Sequence, residues 1–295
     1  MNKKGMLIKM DNYIMKTLAY NKQVRILFVE NTDIIKEICD HKNMNKLLKT
    51  TLAKTVSIAS LISGTLKGNQ RISLKVNASN RKYKIFADVD SMGNIRGYIN
   101  DELLNASLDY TSNFSIEQLI GNKGCIQVMK DLGMNGVFTG ITEMPYGNIV
   151  DDFSHYFKQS EQIPTLFSLN IVFNEKDEIV SSRGILVQLL PGAAIGLIDD
   201  IKKKISDNKF SLLTFKNNMT LKEISHLLFE DIQVLGFDQI QFFCGCSKDI
   251  FYPMLYSLNK EELFYAHENN KPIEIVCNVC GKSYSFDKDE IKSLI

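Results

Sequence analysis

Cys244-Gly245-Cys246 and, 30 residues further on, Cys277-Asn278-Val279-Cys280-Gly281 decide how this chain is read. Tetrahedral Zn²⁺ takes four soft ligands, and two tight cysteine pairs supply them with little chain entropy lost per pair. In the second pair, C-x-x-C followed by glycine, Gly281 lets the backbone turn closely around a metal. The segment from Cys244 to Ile295 has 52 residues, a length at which an apolar core alone gives marginal stability. A structural metal contributes roughly 10–16 kcal/mol to a unit of this kind. The spacing therefore predicts one Zn²⁺ per reduced chain, held by Cys244, Cys246, Cys277 and Cys280. Spacing alone leaves open whether that metal is a plain staple or part of a sensor. The C-x-C pair favours a sensor, because it closes a very small, strained ring when oxidised, and strained bridges are the labile ones. Metal-bound thiolates are also already deprotonated, and so open to any oxidant with access.

Outward from the cysteines, Thr220-Leu-Lys-Glu223 is a capping-box signature that opens a short helix through Phe229. Ala193–Ser206 reads as another helix, and Pro191-Gly192 as the end of a sheet. Before that point the pattern is α+β. Asp33–Leu66 reads as helical with a break near His41–Asn45. Its second part places Leu48, Leu52, Val56, Ala59 and Ile62 on one face, and Gly68 as the C-terminal cap. Ala53, Ser57, Ser60 and Gly64 along that helix predict close packing on a sheet. Alternation predicts strands at Arg71–Val76, Lys84–Val89 and Ile95–Ile99. A hairpin is expected at 126–130 and 137–143 around Gly133-Met-Asn-Gly136. Asp151–Glu161 reads as a helix, followed by strands at Leu166–Phe173 and Ile179–Leu190. The expected division is an α+β core with a mixed sheet packed with helices (1–190), a helical linker (191–238) and a small zinc-binding domain (239–295).

Composition limits the function classes. The chain has 295 residues, 44% of them hydrophobic, with 35 basic against 34 acidic side chains. Nucleic-acid and anionic-membrane binders carry a basic excess, so neither partner is expected. From Cys244 onward there are six Lys and no Arg against eight Asp and Glu, which disfavours nucleic acid further. Thr55–Leu66 is too short and polar to span a bilayer. The start, Met1-Asn-Lys-Lys-Gly-Met6, has positive charge but no apolar run or cleavage site. The expected setting is the cytoplasm, a reducing compartment where clustered cysteines bind metal or do redox chemistry. Cys39 and Cys125 are expected to be buried free thiols.

At its cysteines the chain resembles the redox-regulated heat-shock protein 33 family, the 33 kDa chaperonin. The resemblance extends to Asp151-Asp-Phe-Ser-His-Tyr-Phe157, Ser160-Glu-Gln-Ile-Pro-Thr165, Val187-Gln-Leu-Leu-Pro-Gly192, Leu227-Leu-Phe229 and Phe243-Cys-Gly-Cys-Ser247. It runs from about Met6 to near Ile291. The family often has a larger residue at Gly245, an acidic-aromatic pair at Asn278-Val279 and Gly-Gly at Arg183-Gly184. The resemblance implies an ATP-independent holdase of the oxidative stress response, inactive when reduced and zinc-bound. It implies that oxidation forms the disulfides Cys244–Cys246 and Cys277–Cys280, releases zinc and unfolds the C-terminal region. Exposed apolar surface then captures unfolding client proteins, with the active form a homodimer.

Enzyme motifs are scarce, and no catalytic residue is expected. Gly121-Asn-Lys-Gly124 reads as a turn and not as a phosphate loop. Asp151, Asp152 and His155 read as a helix start with a packed polar residue, and Ser160-Glu161-Gln162 as a structural hydrogen-bond cluster. Two other readings are a zinc ribbon that binds nucleic acid or a protein partner, and a thiol oxidoreductase using Cys277 and Cys280. Against the latter, C-x-x-C does not open a helix after a strand.

Overall fold

The computed structural model describes residues 11–40, 42–107, 114–133, 136–212 and 219–295. The expectations placed on the first residues, on His41 and on Met134-Asn135 of the predicted turn lie outside the described residues. The chain divides into two compact units, one ending at Phe242 and one from Phe243 to Ile295.

The first unit begins with a hairpin, β1 (Tyr13–Ala19) and β2 (Val24–Glu30), turned through Tyr20, Asn21 and Lys22 at positive φ. Helix α1 (Thr32–Asp40) leads to α2 (Lys46–Ser63), whose N-cap Asn45 accepts the Leu48 N–H. Strands β3 (Arg71–Asn77), β4 (Lys84–Asp90) and β5 (Asn94–Ile99) follow. Short helices α3 (Asp101–Leu104) and α4 (Ile116–Ile120) precede the hairpin β6 (Cys125–Asp131) and β7 (Val137–Glu143). Helix α5 (Ile149–Ser160) leads into β8 (Thr165–Phe173) and β9 (Ile179–Leu189). The unit closes with α6 (Leu197–Leu212), α7 (Leu221–Leu228), β10 (Gln233–Gln239) and β11 (Gln241–Phe242).

Two sheets result. One has the order β10-β1-β2-β9-β8, the other β11-β5-β4-β3-β6-β7. All ladders are antiparallel except β11 on β5. Helix α2 touches strands of both sheets, which is why it is apolar or small almost all round. Leu52, Val56, Ala59 and Ile62 join the strands' inward residues in one core. Glycine makes the approach possible: a Cβ on Gly97 would stand 2.5 Å from Val56, and one on Gly184 would meet Leu61 at 3.2 Å. The polar groups where α2 meets β9 are hydrogen-bonded to one another. Asn31 donates to Ser57 and Ser60, and the Ser182 hydroxyl donates to Asn31 Oδ1.

The first sheet is apolar on both faces. Its alternate residues Met15, Ile26, Phe28, Ile185 and Val187 face a second core, completed by Ile201 and Ile205 of α6 and Leu221, Ile224 and Leu228 of α7. Thr220 caps α7 with the full reciprocal box that the sequence announced. Three expectations need correction. The sheet does not end at Pro191, because β10 returns to pair with β1. The stretch read as a helical linker is therefore a strand over Gln233–Gln239. Helix α2 ends at Gly64 and not Gly68, since Gly64 makes the C-terminal bond to Ile62 O. Among the described residues no helix is long and apolar enough to cross a membrane.

Candidate metal centre

The second unit is built around its cysteines. Cys244 and Cys246 lie just before α8 (Lys248–Phe251), whose N-cap Ser247 accepts the Ile250 N–H. A 3-10 turn over Tyr252–Ser257 and α9 (Lys260–Glu268) lead to the hairpin β12 (Ile273–Val276) and β13 (Ser283–Phe286). Helix α10 (Lys288–Lys292) closes the chain, with Asp287 and Glu290 forming a capping box. Cys277 and Cys280 occupy the hairpin turn, where the Gly281 N–H donates to Cys277 O and the Cys277 N–H to Lys282 O. Gly281 has φ +71°, the left-handed geometry a knuckle requires.

The four cysteine sulfurs lie within 4.8 Å of one another. Cys244 Sγ is 3.4 Å from Cys277 Sγ, and Cys246 Sγ is 3.4 Å from Cys280 Sγ. A tetrahedron with metal–sulfur bonds of about 2.3 Å needs sulfurs about 3.8 Å apart, so the cluster fits one ion after a small outward adjustment. Four thiol donors in this arrangement suit a soft or borderline cation. Gly245 between the first two ligands has φ +67°, and a Cβ there would stand 2.9 Å from the Phe243 ring. The positive φ is the conformation that glycine adopts without strain.

Around the sulfurs the unit has little else to hold it. Its core is Leu255, Leu263, Ala266, Tyr284, Phe286 and Ile291, with Cys277 itself buried among them. Lys248 bridges to Glu290 at 2.7 Å and sits over the Phe286 ring. Several large apolar side chains of this unit remain exposed, Met254, Tyr256 and Tyr265 among them.

Three thiols of the cluster are shifted from their ordinary values. Burial pushes Cys246 up, but hydrogen bonds from Tyr284, Cys280, Cys244 and Cys277 outweigh it and hold the group at about 7. Burial raises Cys244 and Cys280, opposed by the Cys246 and Lys282 main-chain N–H groups respectively. The Tyr284 hydroxyl is raised as well, first by its hydrogen bond to Cys246 and then by burial. With metal, all four thiols must be deprotonated.

The remaining candidates fall apart from this cluster. Cys39 is buried, and burial lifts its thiol to about 12. Cys125 differs from expectation: it is half-buried, and its sulfur accepts from Asn77 and Arg81 at 3.6 Å. Asp152 is buried, and its carboxylate oxygens accept the Tyr146 and Asn148 N–H groups at 3.0 and 2.7 Å. It fixes the loop before α5 and is not poised beside His155 as an acid–base pair. Glu161 accepts the Tyr156 hydroxyl and pairs with Lys130, so of the expected Ser160-Glu161-Gln162 cluster it is Glu161 that has a structural role. Sequence reasoning missed Tyr284, whose hydroxyl touches Cys246. The buried alternation of Tyr284 and Phe286 within Ser283-Tyr-Ser-Phe286 was the available signal.

Comparison with known proteins agrees with the geometry. A family model described as Hsp33 protein matches residues 12–287. A 33 kDa chaperonin of Bacillus pumilus is 29% identical over 284 residues, covering 96% of this chain and 98% of that protein. A 33 kDa chaperonin of Shouchella clausii is 28% identical, with 97% and 98% covered. The crystal structure of a 33 kDa chaperonin, a heat shock protein 33 homologue from Thermotoga maritima, superposes with a TM-score of 0.79 at 22% identity. That match covers 96% of this chain and 97% of the other.

Proposed function

The chain belongs to the Hsp33 protein family, and on that premise we propose that it is an ATP-independent holdase chaperone gated by thiol oxidation. The observation that carries the reading is the tetrad Cys244, Cys246, Cys277 and Cys280 at the centre of a 53-residue unit with a small core. Zn²⁺, when bound, supplies the cross-link that such a unit needs in order to fold.

In the reduced protein the two cysteine pairs hold the hairpin to the segment before α8, and the C-terminal unit stays folded. A peroxide withdraws two electrons from each pair. One thiolate attacks a peroxide oxygen and expels hydroxide; the neighbouring thiolate then displaces hydroxide from the sulfenic acid to give the disulfide. The disulfides are Cys244–Cys246 and Cys277–Cys280, the pairing that the family resemblance implies. Consumption of the ligands leaves the unit without its cross-link, and it melts.

The connector 191–238 runs straight into that unit, with four residues between the end of β10 and Cys244. Its helices α6 and α7 cover the outer face of the first sheet. In the active state the connector lifts, uncovering Met15, Ile26, Phe28, Ile185 and Val187. That surface, together with the apolar faces of α6 and α7, captures unfolding clients in the cytoplasm, and two activated chains associate as a homodimer. The core 1–190 remains the scaffold, and 239–295 is the switch. The chain has no catalytic role in this reading.

The test is the double variant Cys277→Ser with Cys280→Ser. It should lose zinc and suppress aggregation of a heat-denatured client even under reductant. A thiol oxidoreductase would instead be inactivated. A variant that keeps the wild-type fold and protects no client in either redox state overturns the proposal.

A further inference from the structure

The Tyr284 hydroxyl reaches into the cysteine cluster from the hairpin. It stands 3.0 Å from Cys246 Sγ and 3.0 Å from the Cys246 carbonyl oxygen, so its single proton is shared between sulfur and main chain. Other contacts hold the ring in place: it is buried, packs on Phe251 at a centroid distance of 5.2 Å, and lies under Lys282 Nζ at 5.2 Å. Cys244 and Cys280 receive main-chain donors, from Cys246 and Lys282, which almost any residue would provide. Cys246 receives a side-chain donor, and one atom removes it. The donor is carried by β13, the strand that follows Cys280, yet it serves a member of the other pair. Any displacement of the β12–β13 hairpin therefore withdraws it.

We propose that Tyr284 is a positioning residue of the switch: its hydroxyl donates to the Cys246 thiolate and sets how much oxidant is needed to fire it. The proposal rests on the redox-gated reading above. A thiolate that accepts an O–H bond has less electron density to offer a peroxide oxygen, and it is a better oriented ligand. The step it restrains is attack of Cys246 sulfur on a hydroperoxide. There the S–O bond forms as the O–O bond breaks, hydroxide leaves, and the Cys244 thiolate closes the disulfide with loss of a second hydroxide. Sulfur is oxidised, the peroxide is reduced, and no further reactant is needed.

Tyr284→Phe keeps the ring and deletes only the donor. In the full-length, reduced, zinc-loaded protein it should weaken metal retention against a chelator by about tenfold. It should also speed hydrogen-peroxide oxidation, with the largest change at Cys246 when each cysteine is followed by differential alkylation and mass spectrometry. In the cobalt-substituted protein, the sulfur-to-metal charge-transfer band should move to lower energy while the tetrahedral ligand-field bands stay in place. Replacing Tyr284 with 3-fluorotyrosine, a stronger donor, should move both the rate and the band the opposite way. A purely structural role of the ring would move neither in opposite directions. Cys246 rates and a charge-transfer band equal to wild type in both variants overturn the proposal, provided wild type itself releases zinc to peroxide. A wild-type protein that keeps its zinc under saturating peroxide overturns instead the reading on which it rests.

Discussion

Phe229→Ala should open the connector without touching a cysteine. Phe229 closes α7 and is 1% exposed, wedged edge-on against Phe28 and Tyr20 at centroid distances of 6.4 and 6.1 Å, with Lys204 Nζ over its face at 6.0 Å. Truncating a buried Phe to Ala costs about 3–5 kcal/mol. Two edge-to-face partners, each worth about 0.5–1.5 kcal/mol beyond area, place this site near 4 kcal/mol. At about 1.4 kcal/mol per decade, the population with α6 and α7 undocked rises roughly a thousandfold. Hydrogen exchange measures this directly: amides of α6 and α7 should accelerate by a comparable factor, while those of β3 and β4 hold their wild-type rates. The reduced, zinc-loaded variant should then suppress client aggregation without oxidant. Uniform acceleration through both sheets would refute the reasoning, because the helices would not be a separately detachable cover. So would faster exchange at α7 with no gain in client protection.

Gly245→Ala forces a side chain into φ +67° and against the Phe243 ring; it should cost the C-terminal unit about 1–3 kcal/mol and lower the peroxide concentration for half-maximal zinc release. Cys39 should resist alkylation in the native protein at pH 8, where burial leaves it far below its thiol pKa of about 12, and react only on unfolding. Its raised pKa also carries a sign. The unfolded thiol ionises near about 8.5, so stability from this group is complete below that pH. It falls as the pH climbs toward about 12, which denaturant titrations of wild type and Cys39→Ala can read as a difference in slope.

Much of the fold was legible because its periodicities are clean. The alternation in Arg71–Val76 and Lys84–Val89 became β3 and β4 in register, Leu74 opposite Ala87. The capping box at Thr220 predicted both of its hydrogen bonds. The small residues of α2 foretold the close approach seen at Gly64, where a Cβ would meet Ile14 and Leu27 at 3.1 Å. Other features were hidden for physical reasons. β2, Val24-Arg-Ile-Leu-Phe-Val-Glu30, is buried on both faces, so it shows an apolar run instead of alternation. β10 pairs with β1 more than 200 residues away in sequence, and no local pattern announces such a partner. The spacing of the cysteines anticipated that Cys244, Cys246, Cys277 and Cys280 would meet, and their sulfurs do lie within 4.8 Å of one another. Tyr284 was not anticipated, because its hydroxyl acts through a fold that brings β13 back against the C-x-C segment.

The most direct test of the account follows zinc release and client protection together in one sample as hydrogen peroxide is titrated into the reduced, zinc-loaded protein. A chromogenic chelator reports the metal, and light scattering of a heat-denaturing client reports holdase action, with no nucleotide present. The account predicts one zinc released per chain and suppression of aggregation that rises along the same curve. Suppression that is complete before any zinc leaves, or stoichiometric zinc loss with no protection, would contradict it.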